Sequence, residues 1–235
     1  MDYQHLSKRL EKVADYIKST DFVADIGSDH AYLPAFLVIN RKIPGAIAGE
    51  VVQGPYESAQ SLVKEVGLSE KIFVRLGDGL DVINPTDTID AITICGMGGV
   101  LIRDILARGL SAGTLMGHER LVLQPNVGEA ALRLWLMNNH YAITDEEIIG
   151  ENQKFYEIIV AEKTTDHIEL TKSDITFGPF LRKEQSLVFK EKWQQELNEL
   201  MRIREQLQLS SKQHKGKVAL IEAKIKEIKE VLQIG

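Results

Sequence analysis

A parallel β-sheet with helices on both faces, followed by a helical hairpin, is the architecture this 235-residue sequence predicts. Two observations predict it. Up to Ala161, short β-rich runs alternate with helical ones, an order that builds a parallel sheet. Beyond Thr176-Phe177-Gly178-Pro179 the pattern becomes a three–four apolar spacing with Glu and Lys between, as in paired helices. Residues 1–179 therefore read as one α/β domain and residues 180–235 as an appended hairpin.

An amphipathic helix opens the chain, with Leu6, Leu10, Val13 and Ile17 about one turn apart. Phe22–Ile26 is a strand, and Leu33–Arg41 a helix with Pro34 in its first turn. Ala46–Gly49 is a short strand, and Pro55–Val66 a helix closed by Gly67. Ile72–Leu76 and Ile89–Ile94 are strands, Gly99–Arg108 a helix, Leu121–Leu123 a strand and Gly128–Asn139 a helix. Tyr141–Ile149 and Phe155–Ala161 are successive strands around a turn containing Gly150, which predicts an antiparallel edge pair. Phe180–Leu209 and Lys217–Ile234 pair as an antiparallel hairpin across the polar turn Ser210–Gly216.

Composition narrows the function classes. A 44% apolar fraction supplies a core, and the single Cys95 excludes a disulfide framework and suits a reducing cytosol. The charged N-terminus lacks a signal-peptide core, and the longest apolar stretch, Ala31 to Ile39, is too short to span a bilayer, so a cytoplasmic protein without a membrane partner is expected. Net charge is −6, unevenly spread. Residues 180–235 carry 12 Lys and Arg against 8 Glu, and residues 1–179 carry 16 against 26 acids. A basic end on an acidic protein suits an acidic partner, although solvated helices also favour Lys.

The chemistry gathers at strand ends. Asp25-Ile26-Gly27-Ser28-Asp29-His30-Ala31 places an acid, a glycine and a helix start after the first strand. Gly27 would admit a cofactor, while Asp25 would orient the loop or hold an ammonium through water. Glu50 would accept from ribose hydroxyls. Asp78 would accept from an adenine amino group, with Gly77 and Gly79 giving clearance. Gly96-Met97-Gly98 would leave room for a sulfonium and a substrate. In a doubly wound sheet such ends surround the ligand. This set suits S-adenosylmethionine. A nicotinamide cofactor fits less well, because Asp29 stands where its glycine fingerprint needs clearance and would repel a pyrophosphate.

No P-loop, zinc spacing or G-x-S-x-G elbow occurs, so no metal is expected. Cys95 ends an apolar strand and reads as a packed thiol. Asn126, in Gln124-Pro125-Asn126, would contact a base edge or cap the helix from Gly128, roles that are not exclusive.

Leu6-Ser7-Lys8-Arg9-Leu10, the stretch from Asp25 to Pro34, Cys95-Gly96-Met97-Gly98-Gly99 and Gln124-Pro125-Asn126 together resemble the bacterial tRNA (adenine-22-N1)-methyltransferase family, TrmK, over essentially the whole chain. The resemblance implies a Rossmann-like S-adenosylmethionine domain, a C-terminal coiled coil and methylation of N1 of an adenine in the D-arm of tRNA, with S-adenosylhomocysteine as product. It implies cofactor contacts at Arg9, Asp25, Gly27, His30, Glu50, Gly77, Asp78, Gly79, Gly96, Met97 and Gly98. Catalytic roles fall to Asp29 and Asn126, with His30 and Tyr32 further candidates to hold the base. A tRNA partner is expected, and no obligate protein partner. The alternatives are a small-molecule methyltransferase and a non-catalytic RNA-binding module that kept the cofactor fold.

Overall fold

The computed structural model describes residues 2–41, 43–210 and 215–233. The strands are β1 (Phe22–Ile26), β2 (Gly45–Glu50), β3 (Ile72–Leu76), β4 (Ala91–Gly98), β5 (Arg120–Val127), β6 (Tyr141–Glu151) and β7 (Lys154–Lys163). They form one sheet in the order β3-β2-β1-β4-β5-β7-β6. The first five are parallel, and β7 runs antiparallel between β5 and β6. Strand order reverses between β1 and β4, so the ligand crevice of such a sheet falls at their carboxyl ends.

The helices are α1 (Lys8–Asp15), α2 (Tyr32–Phe36), α3 (Gln53–Glu65), α4 (Gly99–Ala112), α5 (Glu129–Asn138), α6 (Lys172–Phe177), α7 (Leu181–Glu184), α8 (Leu187–Ser210) and α9 (Lys215–Leu232). One core lies under α1 to α3, where Leu10, Val13, Leu33, Leu37 and Val63 meet Val23 and Ala46. The other lies under α4 and α5, where Ile102, Leu106, Leu132 and Leu136 meet Ile92 and Leu121. Each such side chain contributes about 1.5–3 kcal/mol on burial.

Three expectations change in detail. The helix expected from Leu33 begins at Tyr32 and passes into a π-helical turn at Leu37–Arg41. Gly150 is not in the β6–β7 turn; it pairs with Phe155 inside the ladder. The turn is Asn152-Gln153, with φ of 52° and 61°, the left-handed pair that a two-residue hairpin turn requires. The long helix expected from Phe180 breaks at Gln185, whose φ is 52°, into α7 and α8. Ser211–His214 of the expected turn and Ile234 lie outside the described residues.

The hairpin is welded to the sheet. Phe189, Trp193, Leu197, Ile225 and Ile228 share a cluster with Ile148 of β6 and Phe177 of α6, and Trp193 meets Phe177 edge-on at 4.5 Å between ring centroids. Beside it, fully buried Arg133 donates to Glu146 at 2.7 Å and pairs with Glu157. Lys192 of α8 bonds the second Glu157 oxygen at 2.6 Å and Glu129 at 3.1 Å. Burial opposes charge on Glu157, but Arg133 and Lys192 outweigh it and hold its carboxyl below the usual range. Removing one partner strands a buried charge. We expect Arg133→Ala to lower unfolding stability by about 3–5 kcal/mol in a denaturant titration; a loss under about 1 kcal/mol would show that water already solvates the cluster.

Candidate active site

Asp25 ends β1 as a buried carboxylate with both oxygens occupied. Thr93 of β4 donates its hydroxyl to Oδ1 at 2.5 Å, and Ser28 donates to Oδ2 at 2.6 Å. Burial raises its carboxyl above the ordinary range, and the two hydroxyls partly oppose the shift. Of the two roles expected for Asp25, orientation of the loop is the one the geometry provides. The backbone N–H groups of Gly27 and Ser28 both donate to the Gly49 carbonyl, at 2.9 and 3.1 Å. The chain then takes three consecutive left-handed residues, Asp29, His30 and Ala31, with φ of 46°, 67° and 57°. Non-glycine residues rarely do this, and each costs on the order of 1–2 kcal/mol. The loop expected between Ile26 and Leu33 is thus a strained connector.

Gly27 holds a left-handed φ of 69°, which favours glycine. A Cβ there would lie 2.1 Å from the Met97 methyl. Met97 packs against Gly27. Beside it a cavity of about 260 Å³ is lined by Arg9, Asp25, Gly27, Asp29, Gly96 and Met97, among others. Gly98 ends β4 with open space beside it. The contact of Met97 with Gly27 had no signal in the sequence.

Glu50 ends β2 and is buried, only 6% exposed. Its Oε1 is enclosed without a hydrogen-bond partner. Burial raises its carboxyl, only partly offset by the Asp29 backbone N–H facing it. An orphaned buried acceptor at a crevice fits a ligand that brings hydroxyl donors, as a ribose does. Gly77 donates its N–H to the Glu50 carbonyl at 2.8 Å, setting the end of β3 alongside. Asp78 is exposed and bonded by Arg108 at 2.8 Å, and Gly79 begins a single 3-10 turn. His30 stacks on Tyr32, ring centroids 5.4 Å apart, outside the small cavity.

The opposite wall comes from β5. Gly96, at φ 75°, is looped out of the β4–β5 ladder between Cys95 and Met97. Its carbonyl accepts from Asn126 Nδ2 at 2.7 Å, and its N–H donates to Gln124 Oε1 at 3.1 Å. Arg9 donates to the same oxygen at 2.6 Å and lies over the Tyr156 ring. The capping role considered for Asn126 is not realised: the N-cap of α5 is Gly128, and no side chain caps it. Asn126 instead opens on a groove of about 860 Å³ toward α8. Burial pushes the Cys95 thiol well above its ordinary range, which suits packing and disfavours a nucleophile. The bonds of Arg9 to Gln124 and of Ser28 and Thr93 to Asp25 had no signal in the sequence.

The fold and the site together define a Rossmann-like S-adenosylmethionine-dependent methyltransferase, a class in which relatives bind the cofactor. The chain belongs to the tRNA (adenine(22)-N(1))-methyltransferase family, whose sequence model matches residues 23–230. It is 46% identical to the Bacillus subtilis (strain 168) tRNA (adenine(22)-N(1))-methyltransferase, over the full length of both chains. The crystal structure of B. subtilis TrmK shares 46% identity, TM-score 0.88, and covers 98% of this chain and 99% of that one. Streptococcus pneumoniae Sp1610 in complex with S-adenosyl-L-methionine shares 47% identity, TM-score 0.88, covering 97% and 100%. M. capricolum TrmK in complex with S-adenosyl-homocysteine shares 30%, TM-score 0.83, covering 97% and 98%.

A Glu50→Gln substitution separates binding from folding. The amide keeps an acceptor but loses the charge, so S-adenosylmethionine affinity at neutral pH should fall by about 1–3 kcal/mol in calorimetry. In the parent protein affinity should fall with acidification above the ordinary glutamate range, since the raised carboxyl takes up its proton there. That pH dependence should vanish in the variant. Its ligand-free melting temperature should not drop, because the neutral amide avoids ionisation of a buried group. Unchanged affinity would remove Glu50 from the site.

Proposed function

We infer that this protein transfers a methyl group from S-adenosylmethionine to N1 of adenine 22 of tRNA, in the cytoplasm. What carries this reading is that the cavity at the strand-order switch lies in a chain that matches, end to end, a tRNA (adenine(22)-N(1))-methyltransferase. When bound, the cofactor supplies a methyl on a cationic sulfonium. Glu50 would hold the ribose hydroxyls, and Asp78 the adenine amino group with the oxygen Arg108 leaves open. Asp25, Gly27, Gly77, Gly79, Gly96, Met97 and Gly98 would shape the walls, with Arg9 and His30 at the rim.

Neutral adenine N1 carries an in-plane lone pair, so the reaction needs alignment more than a base. The base must leave its stack to present its Watson–Crick edge, at a cost of a few kcal/mol. Asn126, exposed at the mouth, offers amide atoms to a base edge, and Tyr32 with His30 a stacking surface. The exposed Asp29 carboxylate faces the cavity where methylated N1 would become cationic.

The hairpin of residues 180–235 supports a tRNA grip through part of its charge. Arg182, Lys192, Arg202 and Lys224 are neutralised by acids of the fold. Lys183, Lys190 and Lys217 are exposed and hold no ion pair among the described residues. No described helix is long and apolar enough to cross a membrane.

Methyl transfer from labelled cofactor to bulk tRNA, beside a small-molecule pool, tests the activity; label in the small molecules alone would replace the reading. Asp29→Ala should slow methylation of tRNA far more than it weakens cofactor binding, since the backbone N–H toward Glu50 is retained. Parallel losses would confine Asp29 to the cofactor loop. Lys215→Glu with Lys217→Glu should lower tRNA affinity and flatten its log–log salt dependence by roughly 0.7–0.9 per lost phosphate contact. An unchanged slope, with an altered sedimentation mass when residues 180–235 are deleted, would make the hairpin an assembly element.

A further inference from the structure

Gln124 is fully buried at the end of β5, and its single amide is saturated. Oε1 accepts from Arg9 Nη1 at 2.6 Å and from the Gly96 N–H at 3.1 Å. Nε2 donates to the Pro125 carbonyl at 2.8 Å and to Asn126 Oδ1 at 3.3 Å. That uses both lone pairs and both hydrogens. The orientation is forced: reversing the amide would set its NH2 against a guanidinium and an N–H, and its oxygen against two oxygens. Because Asn126 Oδ1 accepts from Gln124, its Nδ2 must be the atom that faces the Gly96 carbonyl. One side chain thereby sets the rotamer of Arg9, the bulge at Gly96 and the polarity of Asn126.

We propose that Gln124 is the positioning residue of the methyl-transfer site, holding Arg9, the Gly96 bulge and Asn126 in one arrangement without touching the reactants. This rests on the functional reading above for its catalytic consequence, but not for its structural one. Arg9 comes from α1 and would otherwise be a flexible surface cation. Its only described tethers are Gln124 and the Tyr156 ring. The Gly96 bulge is tied from both of its backbone polar atoms, one to Gln124 and one to Asn126.

Two variants of the full-length protein test it. Gln124→Met removes all four bonds at similar volume. Gln124→Glu keeps the acceptor side toward Arg9 and Gly96 but sets oxygen against Pro125 O and Asn126 Oδ1, and serves if the first variant does not fold. The single-turnover rate on tRNA should fall roughly 10- to 100-fold, the size expected when reacting groups are misplaced by about an ångström. KM for tRNA should stay within about threefold, and the calorimetric affinity for S-adenosylmethionine should fall by clearly less than the rate, since Arg9 and Gly96 also line the cofactor cavity. Combined with Asn126→Ala, the rate losses should not multiply, because Gln124 acts partly through Asn126. Loss of cofactor affinity and melting temperature in step with rate would reduce Gln124 to a packing residue and overturn the proposal.

A second readout does not depend on activity. In protein labelled with 15N-arginine, the Arg9 guanidinium should give a signal of restricted rotation in the parent and Gln124→Glu proteins. That signal should be averaged in Gln124→Met. An unchanged Arg9 signal in Gln124→Met overturns the proposal. A parent protein that fails to methylate tRNA while the Arg9 signal behaves as expected would sink the methyltransferase reading alone.

Discussion

The buried carboxylate of Asp25 is the constraint on which the site depends. It stands at the strand-order switch, between Thr93 of the neighbouring strand and Ser28 of the loop that follows. A carboxylate taken from water must have its oxygens satisfied, and here two hydroxyls do so. Satisfying them pulls Ser28 back over the strand end and sends the chain into three left-handed residues. Those residues turn the Asp29 backbone toward Glu50 and leave the Asp29 side chain exposed at the cavity's edge. One hydrogen-bonded carboxylate therefore sets the cavity floor, the setting of buried Glu50 and that of exposed Asp29 at once.

The second wall obeys a similar rule with an amide in place of a carboxylate. Gly96 leaves the β4–β5 ladder, which frees two backbone groups near a buried region. Gln124 and Asn126 satisfy them. The bulge re-aims the strand end, as bulges beside functional sites do. The site is consequently built from strand ends braced by side-chain bonds, with the cofactor loop on one side and the β5 end on the other.

The hairpin stands in a different relation to the sheet. Its root shares an apolar cluster with β6 and α6, and Lys192 joins a charge cluster whose centre, Arg133, belongs to α5. A hairpin attached through a buried ion network keeps a fixed angle to the sheet. The groove beside Asn126 is lined from the hairpin by Lys192 and Lys224, both of them ion-paired.

The sequence by itself determined the alternation of strands and helices, the antiparallel last pair, the hairpin and the residue types at each strand end. These follow from apolar periodicity and from glycine and acid positions, which are local properties. Glu50 was legible as an acid at the end of a buried strand, while its enclosed, unpartnered Oε1 was not. The break at Gln185, the turn at Asn152-Gln153 and the left-handed run at Asp29 were not, since each non-glycine residue there adopts its conformation only under long-range restraint. The same holds for Met97 over Gly27 and for Arg9 on Gln124, whose partners lie 70 and 115 positions apart. Tertiary structure alone decided them, because a buried polar atom bonds to whatever the fold brings within 3 Å, and spacing along the chain carries no record of that.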